Sequence, residues 1–130
     1  MDKTRQVILA LGTNHEQELN MSQAKEMLAR LLDDIYYSSQ AWTPPIGIVS
    51  DHFLNCIAIG GTTKRLDSLL SATKRIERKC GDSPSLREEN IVCMDIDILM
   101  YGDKRMHQGD WQRPYIQQLM NELTANIQHP

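Results

Sequence analysis

Apolar residues alternate between two rhythms along the chain. Val7-Ile8-Leu9-Ala10-Leu11 is a continuous apolar run stopped by Gly12-Thr13-Asn14, the pattern of a buried strand ending in a turn. From Leu19 to Leu32 the apolar positions Leu19, Ala24, Met27, Leu28, Leu31 and Leu32 recur at three- and four-residue steps, which predicts an amphipathic helix. Ile35 to Trp42 is rich in aromatic and β-branched residues and predicts a strand. It runs into Thr43-Pro44-Pro45-Ile46-Gly47, where neither proline offers an amide hydrogen, so helix and central strand are both forbidden. Phe53 to Ile59 reads as another strand, closed by Gly60-Gly61, and Leu66 to Cys80 returns to helical spacing with Gly81 just past its end. Asp82 to Asn90 is polar and predicts an exposed, flexible loop. Ile91 to Tyr101 predicts a final strand, and Pro114 to Leu123 a closing helix with Ile116, Leu119, Met120 and Leu123 on one face.

The order strand, helix, strand, strand, helix, strand is the split βαβ arrangement of a ferredoxin-like α+β sandwich, one antiparallel sheet covered on one face by helices. A chain of 130 residues predicts a single domain over 1–130. Hydrophobic residues at 41% and charged residues at 24% are those of a globular protein. A formal net charge of −3 provides no general attraction for a nucleic-acid backbone, and no aromatic pair with flanking basic residues marks the central strands, so nucleic acid is not an expected partner. Cys56, Cys80 and Cys93 are odd in number and lack CxxC spacing, which excludes a structural zinc or redox pair and predicts reduced, buried thiols. The apolar run within Met1 to Leu11 is too short for a signal segment or membrane span; a cytoplasmic protein without membrane association is expected.

Two local patterns carry candidate chemistry. In Met94-Asp95-Ile96-Asp97-Ile98-Leu99 strand alternation projects Asp95 and Asp97 from one face while Met94, Ile96 and Ile98 point into the core. Two carboxylates with backbones roughly 7 Å apart suit hard divalent cations such as Mg2+, although a solvated polar strand face has the same pattern. The stiff loop Trp42 to Gly47, followed by Phe53-Leu54-Asn55, combines a ring for stacking with an amide for paired hydrogen bonds, as a flat heterocycle requires; an ordinary strand connection with Phe53 in the core would look alike.

Taken together, Ala10-Leu11-Gly12-Thr13-Asn14, Thr43 to Gly47, Phe53-Leu54-Asn55, Ile76-Glu77 with Gly81, and Asp95 to Gly102 resemble, in order and spacing, the motifs of the 6-hydroxymethyl-7,8-dihydropterin pyrophosphokinase family. The resemblance implies ATP-dependent transfer of pyrophosphate to a hydroxymethyl dihydropterin in folate biosynthesis, with pterin and ATP as ligands. It implies that Asp95 and Asp97 hold two Mg2+ ions bridging the ATP phosphates, and that Thr43, Pro45, Phe53 and Asn55 form the pterin pocket. Arg87 and Tyr115 are its candidates on the nucleotide side. The chain departs from the family pattern where arginines are expected: those places hold Asp82 and Val92, and Glu88 and Glu89 add charge that would repel ATP. Arg87 or Lys79 are the substitutes for those arginines; the family's Pro-His-Pro is replaced by Arg113-Pro114-Tyr115, with His107 as the substitute imidazole, and the family's C-terminal aromatic segment is missing. A catalytically inactive pterin-binding or regulatory homologue is therefore the alternative to an enzyme, and the apolar face of the closing helix suggests self-association as a third role.

Overall fold

The first strand, β1 (Arg5–Thr13), lies at the centre of the sheet in a computed structural model that describes residues 3–128. It is followed by α1 (Gln17–Leu31), β2 (Asp33–Tyr37), β3 (Ala41–Thr43), β4 (Phe53–Thr62), α2 (Leu66–Lys79), α3 (Pro84–Glu88), β5 (Asp95–Tyr101), β6 (Lys104–Arg105), a 3-10 turn at Asp110–Gln112 and α4 (Pro114–Gln128). The strands pair antiparallel in the order β2-β4-β1-β5-β6, with β3 also on β4. This is the ferredoxin-like α+β topology. No described helix is long and apolar enough to cross a membrane.

Alternation along each strand sorts the side chains into two layers. Leu9 and Leu11 of β1, Leu54 and Cys56 of β4 and Ile96 and Ile98 of β5 pack against α1 and α2 through Met21, Leu28, Leu69 and Ile76. The other face carries Ile8, Ile57, Ile59 and Leu99, and α4 covers them with Ile116, Leu119 and Leu123. Helices thus lie on both faces, whereas the sequence pattern places them on one. The third layer follows from the continuous apolar runs in β1 and β4: a strand apolar at every position has two faces to bury. Because α4 spends its apolar face on the sheet, with Leu123 only 2% exposed, that face is no longer available to a partner.

Four expectations about elements need correction. The polar stretch from Asp82 to Asn90 contains α3, started by Ser83, whose Oγ accepts from Leu86 N at 3.3 Å, and by Pro84 at the first helical position. The strand expected over Ile35 to Trp42 is broken at Ser38–Gln40. There the Ser38 hydroxyl accepts from Ile57 N at 2.9 Å, and Glu122 of α4 accepts from both Ser39 N and Ser39 Oγ, so the break serves as a docking point for α4. The final strand begins at Asp95, not Ile91, because the preceding residues are tied to the end of β1 instead of a neighbouring strand. Leu19, expected on the apolar face of α1, is 53% exposed. Gly81 does take the left-handed conformation, φ +102°, that follows a helix end.

The Gly12-Thr13-Asn14 turn has a clear physical task. Asn14 is buried, donates from Nδ2 to Asn90 O at 2.8 Å and accepts at Oδ1 from Val92 N at 2.7 Å, while its own amide donates to Val92 O at 3.0 Å. It clamps the segment that feeds β5. Asn14→Ala strands the Val92 amide and is expected to lower the unfolding free energy by about 2–3 kcal/mol in urea titration; a change below about 0.5 kcal/mol would mean that water replaces the clamp.

Candidate functional site

Phe53 and Asn55 of β4, Gly12 of β1, and Asp95 and Asp97 of β5 all project from the α4 side of the sheet. Register brings them together: Gly12 stands opposite Asn55 on one side and Asp95 on the other. Since α4 begins only at Pro114 and runs over Ile8, Ile57 and Leu99, this end of the face is left bare. The result is a cleft of about 180 Å³ lined by those five residues and walled by Asp110, Arg113 and Tyr115.

On the β4 side, Asn55 is buried and its Nδ2 donates to Thr43 Oγ1 at 2.8 Å and Ala41 O at 3.1 Å. These partners fix the amide so that Oδ1 faces Gly12, where an added Cβ would lie 3.3 Å from Oδ1 and 3.7 Å from the Phe53 ring. Glycine keeps the floor open. Thr43 acts through Asn55, while half-buried Pro45 lies in the following loop and does not line the cleft.

On the β5 side the outer strand edge is held by side chains. Strand β6 pairs only with Met100 and Tyr101, so the backbone around Asp95 and Asp97 lacks a neighbour there. Buried Glu77 of α2 accepts from Ile96 N at 2.7 Å, and Arg87 of α3 donates from Nη2 to Met94 O at 3.2 Å. Burial raises the Glu77 carboxyl above its ordinary range, against the lowering pull of the Ile96 amide. Arg87 also reaches Asp95 Oδ1 at 3.2 Å and clasps Asp82 through Nε at 2.8 and 3.1 Å. Burial alone would lower its pKa; the hydrogen bond to Asp82 and the charge of Asp95 outweigh this and raise it. Asp82, which stands where an arginine is expected, thus holds an arginine supplied five residues later.

Asp97 is pushed up to about 7, first by burial, then by the charge of Asp95 and a hydrogen bond shared with it, and then by Asp110 and Glu77. Burial raises the Tyr115 hydroxyl as well. Closely set carboxylates that resist joint ionisation fit a site that a divalent cation would stabilise.

Sequence reasoning missed Asp110 and Arg113, joined by an Arg113 Nε–Asp110 Oδ1 contact of 3.2 Å, and the role of Trp111. A bulge in β5 opposite Ile8/Leu9 puts Leu99 out of register. Its carbonyl accepts from the Trp111 indole at 3.2 Å and from Met106 N at 2.9 Å. Trp111, with the Arg105 guanidinium 4.3 Å above its ring, anchors the wall that carries Asp110. A tryptophan in a polar stretch was the available signal.

Comparison with known proteins adds three findings. Residues 8–125 match the family model described as 7,8-dihydro-6-hydroxymethylpterin-pyrophosphokinase (HPPK). The chain is 40% identical over 63 residues to a folate synthesis bifunctional protein of Chlamydia caviae, covering 48% of this chain and 14% of that protein. It is 27% identical over 129 residues to a mitochondrial folate synthesis bifunctional protein of Pisum sativum, covering 91% of this chain and 25% of that one. The chain therefore spans a quarter or less of the length of these curated relatives.

Proposed function

The chain belongs to the 7,8-dihydro-6-hydroxymethylpterin-pyrophosphokinase family, and on that premise we propose that it transfers the β,γ-pyrophosphate of ATP to the hydroxymethyl oxygen of 6-hydroxymethyl-7,8-dihydropterin in folate biosynthesis. The observation that carries this reading is the single cleft shared by Phe53 and Asn55 with Asp95 and Asp97. In the reaction the hydroxymethyl oxygen bonds to the β-phosphorus, the bond from that phosphorus to the α–β bridging oxygen breaks, AMP leaves, and the hydroxyl proton passes to water.

Phe53 stacks on the pterin ring, and the Asn55 Oδ1, oriented by Thr43, accepts from a ring N–H. Pro45 stiffens the loop beside them at low entropic cost. Asp95 and Asp97 are the residues that would hold Mg2+, which would supply neutralisation of phosphate charge there. Arg87 does not line the cleft but reaches Asp95 at its edge, which makes it the candidate cation on the nucleotide side, and Tyr115 is in the cleft wall. Its pairing with Asp82 offsets the negative charge otherwise unfavourable to ATP.

The test is chromatographic detection of AMP from ATP and the hydroxymethyl dihydropterin at millimolar Mg2+, with folding checked by circular dichroism. Steady AMP formation that requires the pterin is expected. Val92 in the place of an expected arginine and Arg113-Pro114-Tyr115 in the place of Pro-His-Pro favour one second reading, a non-catalytic pterin-binding homologue. Calorimetric pterin binding without AMP formation would select it, and neither binding nor turnover would exclude both.

A further inference from the structure

Resting on the reading of Asp97 as a metal ligand, we propose that Asp97, His107 and Asp110 form a site for a borderline transition-metal ion of the Zn2+ or Co2+ type, adjoining the Asp95/Asp97 pair. One ligand atom from each residue lies within 4.8 Å of the other two. The imidazole sits between the carboxylates, with Nε2 3.9 Å from Asp97 Oδ1 and Nδ1 3.9 Å from Asp110 Oδ2. These gaps exceed the roughly 2.7–3.2 Å of a direct hydrogen bond. One ion takes only one of the two ring nitrogens, so with ligand bonds of about 2.0–2.2 Å it would draw the three ligand atoms, now within 4.8 Å of one another, together by up to about an ångström, with the imidazole turning to face it.

The three groups are held by the fold. Asp97 is on β5; Asp110 N donates to His107 O at 2.9 Å, closing a turn in which His107 has φ +52°. Trp111, bonded to the carbonyls of Leu99 and Met106, fixes that turn against the sheet. Arg113 takes Asp110 Oδ1, leaving Oδ2 on the imidazole side. A nitrogen ligand separates this set from an all-oxygen one: imidazole favours zinc-like ions, whereas carboxylates and water suit Mg2+. The additional imidazole therefore gives the site a preference that Asp95 and Asp97 alone would lack.

The experiment titrates the full chain with Co2+, Zn2+ and Mg2+ separately, without pterin or ATP, following cobalt visible absorption and calorimetric heat. One Co2+ per chain is expected, without a thiolate charge-transfer band because the three cysteines are buried. Zn2+ should bind at least about 100-fold more tightly than Mg2+. His107→Gln should weaken Zn2+ and Co2+ by about 10–100-fold while leaving Mg2+ binding within about twofold. The His107 side chain is 42% exposed, so this variant is expected to fold, which its melting curve checks, and Asp110→Asn gives a second readout. Zinc affinity no greater than that for Mg2+, or unchanged by both substitutions, would overturn the site. Because no substrate is present, an inactive protein that binds Co2+ through His107 would overturn only the transfer reading, and an active one indifferent to His107 only this proposal.

Discussion

Asp97→Asn is expected to stabilise the protein at pH 8 while reducing pyrophosphate transfer by about a thousandfold or more, since a metal-bound phosphoryl oxygen is worth several kcal/mol and each 1.36 kcal/mol is tenfold in rate. The stability effect follows from the sign of the shift. In the folded protein Asp97 is pushed up from 3.8 to about 7 by burial and by Asp95, so the native state holds its proton more tightly than the unfolded chain. Its contribution is therefore fully present below about pH 4 and is lost as pH rises towards 7. Discounted for the 29% exposure of the side chain, the cost of ionisation at pH 8 is about 2 kcal/mol, or on the order of 5–10 °C in melting temperature. Asn carries no proton to lose. In EDTA, the difference in melting temperature between variant and wild type should grow from pH 5 to pH 8, and added Mg2+ should raise the wild type alone. A difference independent of pH would show that Asp97 is not crowded by its neighbours.

Arg87→Ala is expected to cost about 10³ in kcat/KM, the lower end of what an arginine on transferring phosphoryl charge provides. It also leaves Asp82 without its clasp and Met94 O without its donor, so a loss of about 2 kcal/mol in unfolding free energy is expected. Lysine should restore little, because the guanidinium uses Nε and Nη2 for three partners in fixed directions. The paired measurements separate two roles. A variant with lowered stability but unchanged kcat/KM would make Arg87 a brace for the edge of β5 and nothing more; loss of kcat/KM in both variants at a temperature where both remain folded would place it on the nucleotide.

Much of the fold could be read locally. The apolar run of β1, the helical spacing of α1 and α2 and the alternation around Asp95 and Asp97 each report burial within a single element, where a period of 2 or 3.6 residues is set by backbone geometry alone. The same alternation puts Phe53 and Asn55 on one face of β4. Helix α3 was hidden because its start signal, Ser83-Pro84, opens a segment with no buried residues, so periodicity had nothing to report.

By itself the sequence determined the order of the long elements β1, α1, β4, α2, β5 and α4, the ferredoxin-like class and the placement of Asp95 and Asp97 on one side of a strand, because these depend on neighbours a few residues apart. Only the tertiary structure decided that the face of β4 carrying Asn55 is the face of β5 carrying Asp95, since that depends on the antiparallel register of each strand with Gly12. It alone set α4 on the opposite layer from α1 and α2, brought Arg87 between Asp82 and Asp95, and turned His107 and Asp110 towards Asp97. Each of these arrangements depends on the direction in which a turn releases the chain, and small backbone rotations there move a side chain by several ångströms while leaving the local hydrophobic pattern unchanged.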